Sequence, residues 1–450
     1  MPATQATMNR ATETAASPHT LAAPSPVHDH ELPAATSDKT AAEIALSAAR
    51  VRSAVPCSSV RVAAALARTV AHWRISAFPP RSATISQLAA STGMTPPLLE
   101  ESLDALLARA TRASLVSLAP QLPRTNRLLG FIMAGNVAGA GIHEICAALL
   151  AGAGLLIKTA SAEPFFFPSF IRTLAEVDPA VAARVAVLNF GRDEESAMRE
   201  LWRCSDGGVV AYGDDASIAA LTARDATGGA RPLAGFGSRL SGALMVVAPG
   251  AGPSAAETAV DGLARDVTLF EQRGCLSPHH IFVAGDAGAA RRFAAHLARA
   301  LACLEARLPA PQRLPLGAAA SIRALRERAR WRALAERAGD GEVELWEGPR
   351  MAWTVIYDAA AVFSASPGYR TVFVSALKRA DELGSRLDAA ARPLEAFALA
   401  APLEVRERLA AKLRRLGVTY VCDPGRMQSP PLDWPHGGGA MLELLREAAR

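Results

Sequence analysis

Strands alternating with helices, rather than long runs of either, place this chain in the α/β class, with a parallel sheet covered by helices. Three observations predict it. From Leu128 onward, short apolar runs of strand length are separated by helical stretches. The helices carry apolar residues three and four positions apart. The composition is 50% hydrophobic but only 5% aromatic, which suits Ala-lined helices packed on a sheet. At 450 residues the chain is long enough for two packed domains. A net charge of +5 is small for that length, and Arg is spread along helices beside Glu and Asp, which argues against a nucleic-acid binder.

Met1 to about Lys39 is rich in Ala, Thr, Ser and Pro without an apolar signal core, so residues 1–40 are expected to be a disordered tail on a cytoplasmic protein. Residues 41–127 read as an N-terminal helical region. There Thr84-Ile85-Ser86-Gln87 has the spacing of a capping box and Thr95, before Pro96, that of a second N-cap; Leu98, Leu99, Leu103, Leu106 and Leu107 recur at helical spacing. Leu128–Met133 then reads as a strand, Gly141–Leu150 as a helix, and Leu155–Ile157, Val185–Leu188, Val209–Ala211 and Leu244–Val247 as further strands of a unit over 128–253. The stretch Leu128–Ile157 is apolar enough to imitate a membrane span. Its glycines, with Asn136, His143 and Glu144 inside it, argue against one.

A second unit, over 254–424, is expected after the break at Ala248–Pro253. It opens on a helix with Ala256, Val260, Leu263, Val267 and Phe270 on one face, running up to Gly274-Cys275. The strand Ile281–Val283 follows, then an amphipathic helix through Phe293, Leu297, Leu301, Leu304 and Leu308. Strands at Trp353–Tyr357, Thr371–Val374 and Ala396–Leu399, the helix Leu403–Leu416 and the strand Val418–Val421 lead to a closing segment, 425–450.

Gly135-Asn136-Val137-Ala138-Gly139-Ala140-Gly141 lies between strand and helix. It is either a tight turn that needs small residues or a place where a cofactor approaches the backbone, but its spacing is not the dinucleotide GxGxxG. His143-Glu144 starts like a zinc-protease HExxH without the second His, and none of the six cysteines lies at zinc spacing, so no metal is expected. Among the thiols Cys275 stands out. It sits between helix and strand, Gly274 leaves room beside it, and Arg273 is near enough to favour the thiolate.

Four blocks then follow one another: Gly135-Asn136-Val137 with Leu156-Ile157-Lys158 and Ser161-Ala162-Glu163-Pro164; Val209 to Asp215; Glu271 to Pro278 around Cys275; and Gly425-Arg426-Met427-Gln428 with Pro430-Pro431, Trp434 and His436-Gly437. In this order they resemble the bacterial long-chain acyl-CoA reductases of the LuxC type, a branch of the aldehyde dehydrogenase superfamily. The resemblance implies an aldehyde-dehydrogenase-like fold, with a Rossmann-type NADP-binding domain over 128–253 and an α/β catalytic domain over 254–424. It also implies a reaction: NADPH-dependent reduction of a long-chain acyl-CoA to the aldehyde through an acyl-cysteine. Cys275 would attack the thioester and hold the acyl group. Asn136, with the Cys275 backbone N–H, would stabilise the oxyanion. Lys158 would hold the adenosine ribose, and Gly213-Asp214 would lie near the pyrophosphate. Gly425–Trp434 would be packing.

NAD-preferring relatives often carry Glu where this chain has Ser161, and a hydroxyl there suits a 2′-phosphate, so NADPH is the expected cofactor. The oxidising relatives' Glu-Leu-Gly-Gly-Lys base has no counterpart in Gly237–Gly242, which favours reduction over release of free acid. Glu271, the one nearby carboxylate, is expected to face solvent at its helix end. Phe165-Phe166-Phe167 either lines an acyl tunnel or belongs to the core. The expected partners are acyl-CoA, an acyl-activating or acyl-transferring enzyme and further copies of the chain. Two other functions stay open: a CoA-acylating dehydrogenase of short aldehydes, and a non-catalytic acyl- or CoA-binding scaffold.

Overall fold

The computed structural model describes residues 37–228, 231–246, 253–335, 342–388 and 392–450. The tail up to residue 36 and the break at 247–252 lie outside the described residues.

Five helices come first: α1 (Ser37–Ser53), α2 (Ser59–Trp73), α3 (Pro79–Thr92), α4 (Pro96–Leu107) and α5 (Arg112–Leu118). The capping box expected at Thr84–Gln87 lies inside α3, which starts five residues earlier on Pro79; Thr84 instead hydroxyl-bonds back to the Pro80 carbonyl at 2.8 Å. Proline at the first helical position supplies the start there without a side-chain cap. Thr95 does precede α4, but its hydroxyl donates to the Pro309 carbonyl rather than capping the helix. A true capping box, Thr111 with Ser114, opens α5.

The chain then alternates through β1 (Leu128–Ile132), α6 (Ile142–Ala151), β2 (Gly154–Lys158), α7 (Phe166–Val177), α8 (Pro179–Ala182), β3 (Val185–Leu188), α9 (Glu195–Cys204), β4 (Gly208–Tyr212), α10 (Asp215–Gly228) and β5 (Leu233–Phe236). The strands form a five-stranded parallel sheet in the order β3-β2-β1-β4-β5. Every residue of β1, β2 and β4 is buried, as expected of strands covered on both faces. The order reverses between β1 and β4, and a crevice opens beyond the carboxyl ends of strands at such a switch.

A second sheet takes up β6 (Leu240–Val246), β7 (Pro278–Ala284), β8 (Val343–Glu347), β9 (Thr354–Asp358), β10 (Thr371–Leu377), β11 (Leu394–Ala400) and β12 (Tyr420–Cys422). Their order is β12-β11-β6-β7-β10-β9-β8, parallel except for β8 on β9. Its helices are α11 (Pro253–Thr268), α12 (Ala287–Arg307), α13 (Leu316–Ala335), α14 (Leu383–Asp388) and α15 (Leu403–Arg415), and α16 (Ala440–Ala448) closes the chain. The strand read at Leu244–Val247 with the first unit is β6, which is hydrogen-bonded between β11 and β7 of the second sheet. Local pattern marks a strand but not which sheet completes its hydrogen bonds. The helix expected to run to Phe270 ends at Thr268, because Phe270, Glu271 and Gln272 take left-handed backbone angles.

Phe166, Phe167 and Phe170 are core residues. Phe166 and Phe170 pack on Trp73, with ring centroids 5.1 and 5.7 Å away. Among the described residues no helix is long and apolar enough to cross a membrane.

Candidate active site

Cys275 lies on the loop between α11 and β7, and that loop is held by an unusual amount of polar bonding. Phe270, Glu271 and Gln272 sit at φ 53°, 53° and 57°, a region costly for residues with a Cβ unless the surroundings enforce it. The surroundings do. Gln272 donates to the carbonyls of Pro278 and Thr371 at 2.7 and 2.9 Å and accepts from the Thr371 N–H at 2.7 Å. The Phe270 N–H donates to the Ser102 hydroxyl at 3.1 Å, and the Ser241 hydroxyl donates to the Cys275 carbonyl at 2.6 Å. Glu271 does not face solvent: it is 1% exposed and pairs with the equally buried Arg370 at 2.5 Å. Burial raises its pKa to about 7 against the pull of Arg370. Committed to that pair beneath the loop, it is badly placed to act as a base at Cys275.

The groups that do reach the thiol come from far away in the sequence. His436 Nε2 lies 3.7 Å from Cys275 Sγ, and its Nδ1 lies 2.7 Å from Glu144 Oε1. Glu144 is on α6, 6% exposed in a helix whose residues are all buried. The His436 ring is stacked between Phe236 and Trp434, with centroids 4.3 and 4.2 Å away. Behind it Gly437, Gly438 and Gly439 all take positive φ, and a Cβ on Gly437 would come within 2.9 Å of the Phe236 ring. Burial opposes charge on both partners, yet each outweighs that cost for the other. Glu144 is held well below the usual carboxylate range and His436 well above its ordinary value, by mutual attraction and their hydrogen bond.

A cavity of about 1040 Å³ runs from Cys275 to the carboxyl ends of the first sheet. All six residues singled out in the sequence line it: Cys275, Asn136, Lys158, Ser161, Gly213 and Asp214. Asn136 donates to the Arg273 carbonyl at 2.8 Å, which puts its amide two residues from the thiol. Lys158, at the end of β2, donates to the Thr159 carbonyl and lies over the Phe190 ring; burial, then the nearby Arg192, lowers its pKa. Arg192 lines the same wall. Asp214 accepts from the Ser217 N–H at 2.7 Å, capping the start of α10. Glu163 accepts from the N–H groups of Phe165 and Phe166 and so serves the start of α7. The glycines at 139 and 141 have a packing reason of their own. Both have positive φ, and a Cβ would meet Leu106 at 2.9 Å or Met133 at 2.7 Å.

The packing expected of Gly425–Trp434 is present in detail. Asp266 accepts from the N–H groups of Gly425 and Met427, and Gln428 reaches the Ser277 hydroxyl at 3.2 Å. The segment also delivers His436, two residues past its end. Sequence reasoning missed His436 and Glu144 as site residues. Two signals were present: a charge, which needs a partner, inside a helix that is apolar apart from the neighbouring His143, and a histidine followed by three glycines. Neither names its partner.

The family described as acyl-CoA reductase (LuxC) matches residues 81–448. A long-chain acyl-protein thioester reductase 2 of Photobacterium leiognathi is 27% identical over 158 residues, 34% of this chain and 31% of that one. A long-chain acyl-protein thioester reductase of Aliivibrio fischeri is 23% identical over 301 residues, 65% of this chain and 57% of that one. The matches thus span less than two thirds of these relatives. In fold the chain is similar to succinic semialdehyde dehydrogenase from Streptococcus pyogenes, solved in complex with NADP+: the TM-score is 0.63 at 14% identity, over 86% of each chain. That likeness gives an aldehyde-dehydrogenase-like fold.

Proposed function

Because the chain belongs to the acyl-CoA reductase (LuxC) family, we propose that it reduces a long-chain acyl thioester to the aldehyde through an acyl group carried on Cys275. The observation that carries this reading is the single cavity joining the Cys275 thiol to the switch point of the parallel sheet. A nucleophile and a nucleotide-binding edge are thereby available to one substrate.

The residues present fit a nicotinamide dinucleotide. Gly135, whose Cβ would come within 2.9 Å of Ala162, keeps the β1 turn open, and Lys158, Ser161 and Arg192 offer two cations and a hydroxyl to a phosphate-bearing ribose. Bound there, the cofactor supplies hydride to the acyl carbon. Cys275 attacks the thioester carbonyl and releases the thiol. Asn136 and the Cys275 backbone N–H face the oxygen as it gains charge. After reduction the hemithioacetal breaks to aldehyde, and the sulfur is freed on Cys275. Gly237, Ser238, Arg239 and Leu240 line the cavity, and none of the four is the carboxylate that the oxidising relatives use as a base.

Relatives named for acyl-protein thioesters and a family named for acyl-CoA share one chemistry, an acyl group on sulfur. The acyl donor in the cell is therefore either CoA-bound or delivered by a protein partner, and we propose CoA. The test is NADPH consumption and aldehyde formation with acyl-CoAs from short to long chain. Cys275→Ala should abolish both, together with covalent acyl uptake, while Cys303→Ala should retain all three. No NADPH consumption with any acyl-CoA, or acyl uptake by Cys275→Ala, would overturn the reading.

A further inference from the structure

We propose that His436 is a catalytic acid–base partner of Cys275 and that Glu144 is its positioning residue, so that the site works as a thiol–imidazole–carboxylate triad. The proposal takes the thioester substrate from the reading above, but it stands on geometry of its own. Nε2 of His436 faces Sγ at 3.7 Å and Nδ1 faces Glu144 at 2.7 Å, an arrangement in which the carboxylate fixes the ring and leaves Nε2 to serve the sulfur. Stacking on the Phe236 and Trp434 rings holds the plane of the imidazole.

The other titratable groups around the ring come from several elements. His143 neighbours Glu144 on α6, and the Tyr212 ring of β4 lies 6.2 Å away. On the far side Arg239 donates to the Gly437 carbonyl at 3.1 Å, and Glu395 of β11 accepts from the Gly437 N–H at 3.4 Å. Arg239 and Glu395 pair with each other at 3.1 Å and so offset one another. Glu144 is left as the acidic side chain in direct contact with the ring, and against the cost of burial it and the hydrogen bond to Cys275 raise the imidazole pKa.

The protons then balance. His436 Nε2, facing Sγ, takes the Cys275 proton as the sulfur attacks. The thiolate forms the new C–S bond at the acyl carbon, and the C–S bond to the leaving thiol breaks. His436 gives its Nε2 proton to that leaving thiolate and becomes neutral. Hydride reduction and collapse return aldehyde and the Cys275 thiolate, and His436 takes one proton from solvent. The overall reaction consumes one proton, and it enters at His436. Because acylation needs no hydride, the same machinery exchanges acyl groups between thiols in the absence of a nicotinamide cofactor.

The experiment uses two probes on the full chain, wild type, His436→Asn and Glu144→Gln. Iodoacetamide alkylation of Cys275, read by mass spectrometry, reports thiolate without any substrate. At about pH 6, where a free thiol is almost wholly protonated, alkylation should fall about tenfold or more in His436→Asn and in the same direction in Glu144→Gln. Acylation is then followed at about pH 9.5, where free thiols ionise unaided, with decanoyl-CoA and with the decanoyl ester of 4-nitrothiophenol. The second leaving group needs no proton. His436→Asn should slow the CoA ester by about a hundredfold more than the nitrothiophenyl ester. An unchanged alkylation profile, or equal slowing of the two esters, would overturn the proposal. If instead alkylation responds as expected but the wild type never oxidises NADPH, the triad stands and the reductase reading fails.

Discussion

Lys158 and Arg192 line one wall of the cavity beside Ser161, and two cations there suit a ribose carrying a 2′-phosphate. Burial lowers the pKa of Lys158, Arg192 adds to the lowering and Glu194 opposes it, while Ser161 itself carries no anion. Adding one should reverse the selectivity: Ser161→Glu would accept from a free 2′-hydroxyl and repel the phosphate. We expect wild type to favour NADPH in kcat/KM and Ser161→Glu to favour NADH, a change of about tenfold or more for roughly 1.4 kcal/mol. Equal use of NADH by the wild type would defeat this. At this scale Cys275 was legible because its signal is local: a glycine before it, a cation near it, and a helix-to-strand junction around it. His436 and Glu144 were not, because the local signal of each names no partner until the fold sets them 2.7 Å apart.

Among the elements, the segment between α11 and β7 shows what period-based reading cannot see. Val260, Leu263 and Val267 form one buried face as the spacing demands, but Phe270 continues that spacing without continuing the helix. What breaks it is tertiary: the left-handed turn exists because Gln272, Arg370 and Ser102 hold it. Arg370 is 1% exposed and bonds Glu271, Glu305 at 3.0 Å and the Leu308 carbonyl at 2.8 Å. Removing one partner of such a pair leaves a buried group unmatched, at about 3–5 kcal/mol. Arg370→Leu should therefore lower the urea midpoint by that much stability, and Arg370→Leu with Glu271→Leu should recover part of it. A single mutant within about 1 kcal/mol of wild type would show that the turn is held by Gln272 and the backbone alone. Elsewhere β1 to β4 of the first sheet were readable to within a residue or two, since full burial on both faces writes a continuous apolar run, whereas β5, with alternate residues only half-buried, was not read. The antiparallel edge strand β8 and the helix α13 also went unread. Only three residues of α13 are buried, Ile322, Arg326 and Ala329, so it carries too little apolar stripe to be recognised.

For the whole molecule, the two sheets matter because they meet at one cavity. The first presents the carboxyl ends of β1, β2 and β4; the second presents the Cys275 loop ahead of β7; and the chain's last segment folds back to bring His436 between them. Alternating pattern gives each layer but not their meeting, because the contacts that join them are single residues far apart in sequence. A shared cavity has a consequence that needs no turnover to observe. A dinucleotide lying along the first sheet with its reactive end toward the acyl carbon must cover the approach to Sγ. Saturating NADPH should thus slow iodoacetamide alkylation of Cys275, by about a hundredfold at a hundredfold excess over its Kd if the covered thiol is inaccessible in the complex. Cys303 is the internal control: it is exposed on α12, does not line the cavity, and should alkylate at the same rate with or without NADPH. Peptide mass spectrometry over a time course reads both thiols in one sample. Slowing of both would mean a general tightening of the protein. Slowing of neither, under conditions where NADPH binding is measured independently, would place the dinucleotide away from the thiol and remove the single-cavity basis for hydride transfer.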